Sequence, residues 1–225
     1  WARAFGLGEK TGVALDDEWG GTIPDTAWKM KRYRQPWYPG ETLSVAIGQG
    51  YVTVTPLQMA NMMAAVANGG KLYQPRLVSK IESVDGTSVR EFGPELIRTI
   101  EMKPDTLNRV HSALADVVKG GTGGMARSPL IEVAGKTGTA QVVEMKGGYV
   151  KSEQLSHFSR DHAWFVSYAP VQSPQVAIAV LVEHGGHGGD AAAPMAKKVY
   201  EKFIELQRES AEKRHVQARG ASRAD

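Results

Sequence analysis

Apolar positions fall into helical and strand periods in separate blocks of the chain. Leu57, Met59, Ala60, Met63, Ala64 and Ala67 share a broad helical face. Thr55 suits the N-cap of that helix, Pro56 its first position and Gln58 a capping box, and Asn68-Gly69-Gly70 ends it. A second helix is predicted over residues 105–119, where Leu107, Val110, Leu114, Val117 and Val118 fall together before Gly120-Gly121-Thr122-Gly123-Gly124. His111 lies near that apolar face and reads as a packed or edge residue. Residues 77–84 and 88–92 flank Asp85-Gly86, a strong hairpin signal. Residues 163–169 and 176–182 predict two strands joined by a short turn through Pro170 and Pro174. The second is apolar at every position, as a strand covered on both sides is. The last helix begins near Ala193-Pro194, with Met195, Val199, Phe203 and Leu206 inward and Lys197, Lys198, Glu201, Lys202 and Glu205 outward. Residues 1–40 are rich in Gly, Pro and Trp, carry no period, and read as loops and short turns. Residues 207–225 are charged and small and predict a frayed or disordered tail.

A length of 225 residues suits one large or two small domains, and 42% hydrophobic content is enough for a core. The longest apolar run, residues 176–182, falls far short of the roughly 18 residues that span a bilayer. Without cysteine there is neither a disulfide nor a thiolate metal site. The net charge of +3 is a mild bias toward anionic partners such as carboxylates and is too small to argue for nucleic acid. Lys29-Met30-Lys31-Arg32-Tyr33-Arg34-Gln35-Pro36-Trp37-Tyr38 does mix cations with aromatics, as single-strand binders do. It reads better as a solvated loop over packed aromatics. The chain opens on Trp1-Ala2-Arg3 with no signal-peptide pattern, so it reads as the middle of a larger protein whose anchor or export signal would lie upstream.

The candidate chemistry centres on Ala134-Gly135-Lys136-Thr137-Gly138-Thr139-Ala140-Gln141-Val142-Val143, an extended segment. Thr137 and Thr139 are two apart, so both hydroxyls point to one face of a strand, with Lys136 and Gly138 out of phase. Gly138 leaves the backbone beside it uncovered, and an acylated peptide ending in a carboxylate could add along that edge. Its carboxylate would meet the hydroxyls and the ammonium. Lys10-Thr11-Gly12 repeats the tripeptide but leads into acidic and glycine-rich sequence, and reads as a surface turn. A polar loop follows over residues 144–161, a length often functional. It carries His157 and Asp161-His162, for which an acid/base or metal role is open. His184-Gly185-Gly186-His187-Gly188-Gly189-Asp190 groups two histidines and a carboxylate, but its glycines could not hold a metal rigidly. Gly48-Gln49-Gly50 lacks the spacing of a phosphate loop. No cofactor or metal is expected.

Taken together the segments resemble the transpeptidase domain of the class B penicillin-binding proteins, and within them the penicillin-binding protein 2 group of rod-shape elongation enzymes. The resemblance rests on residues 29–32, Pro36-Trp37-Tyr38-Pro39-Gly40-Glu41-Thr42, Ile47-Gly48-Gln49-Gly50-Tyr51, Thr55-Pro56-Leu57-Gln58-Met59, residues 135–141, Arg160-Asp161-His162 and Ala192-Ala193-Pro194, in order over residues 1–206. It implies an α+β fold, an antiparallel sheet flanked by helices, of which this chain is the C-terminal part. It also implies D,D-transpeptidase activity on peptidoglycan stem peptides, acylation by β-lactams, and action at the periplasmic face of the bacterial inner membrane. A membrane-embedded rod-shape glycosyltransferase and other elongation proteins are the implied partners. In such a site Lys136 supplies positive potential, the Thr137 and Thr139 hydroxyls hold the terminal carboxylate, the Thr139 N–H is an oxyanion donor, and Gly138 lets the substrate backbone approach. The family's Ser-x-x-Lys and Ser-x-Asn motifs precede its Lys-Thr-Gly strand, and neither stands before Lys136 here. Ser210-Ala211-Glu212-Lys213, Ser83-Val84-Asp85 and Ser159-Arg160-Asp161 fit those patterns only by coincidence of sequence. The nucleophile is therefore expected outside this chain, which alone would be inactive. A β-lactam hydrolase or sensor of the same fold, or a non-catalytic interaction domain, are the competing classes.

Overall fold

The computed structural model describes residues 1–143 and 154–221, with side chains to residue 214. In chain order its main elements are α1 (Thr26–Tyr33), α2 (Pro39–Ala46), α3 (Pro56–Ala67), β1 (Lys71–Tyr73), β2 (Lys80–Glu82), β3 (Ser88–Glu91), β4 (Leu96–Thr99), α4 (Pro104–Lys119), β5 (Ala134–Ala140), β6 (His162–Ala169), β7 (Val176–Val182), α5 (Gly188–Ala191) and α6 (Ala193–Ala221). The central sheet is antiparallel with order β5-β6-β7, so β5 lies at an edge. Its register pairs Ala134 with Tyr168 at one end and Ala140 with His162 at the other.

Alternation along these strands builds two cores. Phe165, Ala163 and Ala169 of β6, with Val176, Ile178, Val180 and Val182 of β7, pack against Ala193, Ala196 and Tyr200 of α6. The intervening residues, Val166 and Tyr168 of β6 with Ala177 and Ala179 of β7, pack against Met63 of α3 and Ala115 of α4. β7 is thus apolar on both faces because helices cover both, as its sequence predicts. α3 has the expected cap: the Thr55 hydroxyl accepts from the Gln58 N–H, and the Gln58 side chain accepts from the Thr55 N–H at 2.8 Å. Gln58 is also fully buried, and its Nε2 donates to Glu9 O and Gly20 O, tying the N-terminal loops to α3.

The structure departs from the sequence reading in four places. Residues 1–40 contain a capped helix and the start of another. Asp25 Oδ1 caps α1 by accepting from the Trp28 N–H at 2.8 Å, and Glu41 holds the entry to α2 by accepting from the Tyr38 N–H. Lys29, expected on a solvated loop, is buried, paired with Glu41, and sits 4.2 Å from the Tyr38 ring centroid. The 77–92 hairpin keeps its Asp85-Gly86 turn but shrinks to β2 and β3, exposed at every strand position. β1 and β4 pair unforeseen, since three or four residues are too few to show a period. On α6 the buried face is Ala193, Ala196 and Tyr200, while Met195, Val199 and Leu206 are exposed. Ala193 and Ala196 let the helix approach the sheet closely, and Tyr200 fills the core beside them. α6 also continues beyond Gln207 to Ala221 through good helix formers, every described side chain there being exposed.

Candidate active site

Residues opposite one another across an antiparallel pair share a face. Lys136 is opposite Val166 and Gly138 opposite Trp164, on the α3/α4 side, while Thr137 faces Phe165 and Thr139 faces Ala163 on the α5/α6 side. Lys136 is exposed, and its Nζ donates to Thr137 O at 2.9 Å. Thr139 O accepts from Gln49 Nε2 at 2.7 Å, so it points away from β6. The N–H and C=O of one extended residue lie on the same edge of its strand. The Thr139 N–H therefore faces the open side of β5, as do the N–H and C=O of Thr137. This rim combines an ammonium, peptide donors and acceptors, and two half-buried threonines within four positions. Such a rim can pair with an extended peptide and hold an anion.

Neighbouring elements fix the rim. Thr122, in the glycine run after α4, has its Oγ1 2.7 Å from Thr137 Oγ1, which adds a third hydroxyl to the group. The short α5 comes down directly on the strands. A Cβ at Gly188 would lie 2.1 Å from Trp164 O and 2.6 Å from Gly138 O, so no larger residue fits. Gly138 is thereby covered on the α5 side, and a Cβ on it would meet Trp164 Cβ at 3.2 Å. The Gln49 amide closes the far end of the β5 edge, with the Gln141 N–H 3.3 Å from its Oε1. Thr122 and Gln49 are the rim residues that sequence reasoning missed: each lies between glycines, and Gln49 falls in one of the stretches that carry the family resemblance, yet neither was placed at the site.

The histidines gather elsewhere. His162 Nδ1 accepts from the His184 N–H at 2.9 Å, the two rings are 4.7 Å apart, and His157 lies 5.5 Å from His184. Asp161 is buried beside them, its backbone O accepting from the Gly186 N–H. His187 stands apart as the N-cap residue of α5. Among the described residues no group of three or more His, Cys, Asp or Glu side chains is arranged to hold a metal. His111 packs as expected, with Nε2 2.8 Å from Val66 O and its ring 5.7 Å from Tyr168. Residues 144–153 of the predicted polar loop lie outside the described residues. Lys10-Thr11-Gly12 lies outside any strand. Thr11 is buried there, donating through N–H and hydroxyl to Glu18 Oε1 at 2.7 and 2.5 Å.

Residues 1–201 match the family model described as the penicillin-binding protein transpeptidase domain. The chain is 41% identical over 205 residues to the peptidoglycan D,D-transpeptidase MrdA of Acinetobacter baumannii, an alignment covering 91% of this chain and 30% of that protein. Among solved structures it is similar to Pseudomonas aeruginosa PBP2 in complex with WCK 5153, with a TM-score of 0.73 and 38% identity, covering 89% of this chain and 42% of that one. It is similar also to PBP2 in its complex with MreC from Helicobacter pylori, with a TM-score of 0.70 and 34% identity over 88% of this chain and 34% of that one. The chain thus spans under half the length of each of these relatives. With a family model matched over nearly its whole length, this chain belongs to the transpeptidase domain family of the penicillin-binding proteins.

Proposed function

We propose that this chain is part of a peptidoglycan D,D-transpeptidase of the penicillin-binding protein 2 type, and that the open edge of β5 is its donor-binding rim. The observation that carries this reading is the edge position of β5, with Lys136 exposed and Thr139 turned outward. A stem peptide ending in D-alanyl-D-alanine adds antiparallel to β5. Its carboxylate sits among the Thr137, Thr139 and Thr122 hydroxyls in the field of the Lys136 ammonium. The penultimate carbonyl lies over the Thr139 N–H, which stabilises the oxyanion as a serine from another part of the protein attacks. D-alanine leaves, and an amine of a neighbouring stem peptide resolves the acyl-enzyme. β-Lactams acylate the same serine. Among the described residues no helix is long and apolar enough to cross a membrane. We place the whole protein at the periplasmic face of the inner membrane, anchored through residues outside these. MreC accompanies the Helicobacter pylori relative, and we infer an elongation partner of that kind for the whole protein, together with a membrane-embedded rod-shape glycosyltransferase.

Lys136→Ala in the full-length protein tests the rim. Acylation by a fluorescent penicillin should slow by about a hundredfold or more, the scale of a lost oxyanion-type interaction, with little change in melting temperature because Lys136 is exposed. An unchanged rate would place the donor on another strand. The 225 residues by themselves should form no covalent adduct by mass spectrometry. A stoichiometric adduct would put the nucleophile within them.

A further inference from the structure

Gln49 lies half-buried between Gly48 and Gly50, whose φ values of 75° and 70° are in the left-handed region. That loop carries the Gln49 side chain across 90 residues of sequence to the rim of β5. There its Nε2 donates to Thr139 O at 2.7 Å, and its Oε1 faces the Gln141 N–H at 3.3 Å. One carboxamide thus occupies the acceptor and the donor that a strand added beside Ala140 would use.

The pairing geometry identifies what that carboxamide competes with. In a hydrogen-bonded antiparallel pair, two opposite residues exchange both N–H···O bonds. A donor residue whose carbonyl accepts from the Thr139 N–H must therefore give its own N–H to Thr139 O. Gln49 Nε2 holds that position before substrate arrives. We propose that Gln49 is a positioning residue that stands in for the acyl-side N–H of the donor, and that it yields Thr139 O only to donors that carry an amide N–H on the residue whose carbonyl reacts. The inference rests on the transpeptidase reading given above. The exchange replaces one amide–carbonyl bond by another, so a donor with the acyl-side amide gains little net energy from this contact. A donor without it leaves Gln49 in place. Gln49 thereby blunts discrimination by ground-state affinity while shielding an edge that would otherwise pair with any extended chain.

The test compares two acylating probes on the full-length protein: benzylpenicillin, which has an acylamino arm, and penicillanic acid, which lacks one. In Gln49→Met, which keeps the length and apolar stem but removes the hydrogen bonds, the ratio of acylation rate constants, benzylpenicillin over penicillanic acid, should rise about three- to tenfold, the worth of one net hydrogen bond. Gln49→Glu should shift the ratio in the same direction, because its carboxylate is repelled by Thr139 O. This second variant keeps the proposal open to refutation if the first folds poorly. A ratio unchanged in both variants, with both rates falling together, would mean that Gln49 only supports the loop, and the proposal fails. A fall in the ratio would mean that Gln49 helps the arm to bind, which also overturns it. If wild type is acylated by neither probe, it is the transpeptidase reading that fails. Wild-type acylation with no change of ratio in the variants refutes this inference alone.

Discussion

The Tyr200 hydroxyl donates to Ser167 Oγ at 2.9 Å in the core between β6 and α6. The Tyr168 hydroxyl, buried on the other face of the sheet, has no hydrogen-bond partner among the described residues. Burial raises the pKa of both phenols, with the Glu132 carboxylate adding to the shift at Tyr168 and the Ser167 bond opposing it at Tyr200. Tyr200→Phe strands a buried serine and should cost about 1 kcal/mol. Tyr168→Phe removes a group already unpaired and should be neutral or stabilising. Urea unfolding of the two variants side by side checks the contrast, and a clear loss for Tyr168→Phe would mean that its hydroxyl is satisfied. At the rim, Lys136, Thr137 and Thr139 were legible because their relation is local: strand period alone sets which side chains share a face. Thr122 and Gln49 were not, since they arrive from 15 and 90 residues away and only the fold brings them there.

Three carboxylates organise the N-terminal elements, and each is held below its ordinary pKa. At Asp25 the Trp28 N–H leads, with Arg3 behind it, and at Glu41 the Lys29 ammonium leads, followed by the Tyr38 N–H. At Glu18 burial pushes the other way but is outweighed by the Thr11 hydroxyl and the Thr11 and Gly12 N–H groups. A folded pKa below the unfolded one means that the unfolded chain binds more protons, so stability rises with pH. These contributions are complete above the ordinary carboxylate range of about 4 and disappear as pH falls through the lower folded values. Melting temperature should therefore fall on acidification below that range. Glu18→Gln should melt lower than wild type at neutral pH and decline less steeply in acid, and a parallel decline would assign the acid sensitivity to other groups. The same capping chemistry explains which elements the sequence revealed. α3 and α4 carry apolar faces over three turns or more, and β6 and β7 are long apolar strands. α1 and α2 have eight residues each and depend on one polar side chain at the entry, so residues 1–40 showed no period. The face of α6 was misread because it starts with Ala193 and Ala196, which add little to an apolar pattern, before Tyr200 and Ile204.

At the scale of the molecule, α6 is a core helix for its first three turns and a solvated rod after them. Ala193, Ala196 and Tyr200 are fully buried, with Ile204 packed against the same cluster. Every described side chain from Glu205 onward is exposed, and the family match ends at residue 201. Among the described residues the last tie to the body is the exposed Gln207, whose Nε2 donates to Gln175 Oε1 at 2.7 Å in the turn between β6 and β7. Exposed helix of this kind adds little stability, because most helical stabilisation in proteins comes from packing an apolar face. Ending the protein after Gln207 should therefore leave its melting temperature and cooperativity as they were. Ending it after Val199 removes Tyr200 and Ile204 and opens the cluster over Phe165. Losing one buried aromatic typically costs about 3–5 kcal/mol, against a total stability of about 5–15 kcal/mol for a domain. The shorter protein should lose most of its cooperative transition, and with it the support under β6 that keeps β5 in register. A large drop in melting temperature for the protein ending after Gln207 would show instead that the solvated part of α6 carries contacts essential to the fold.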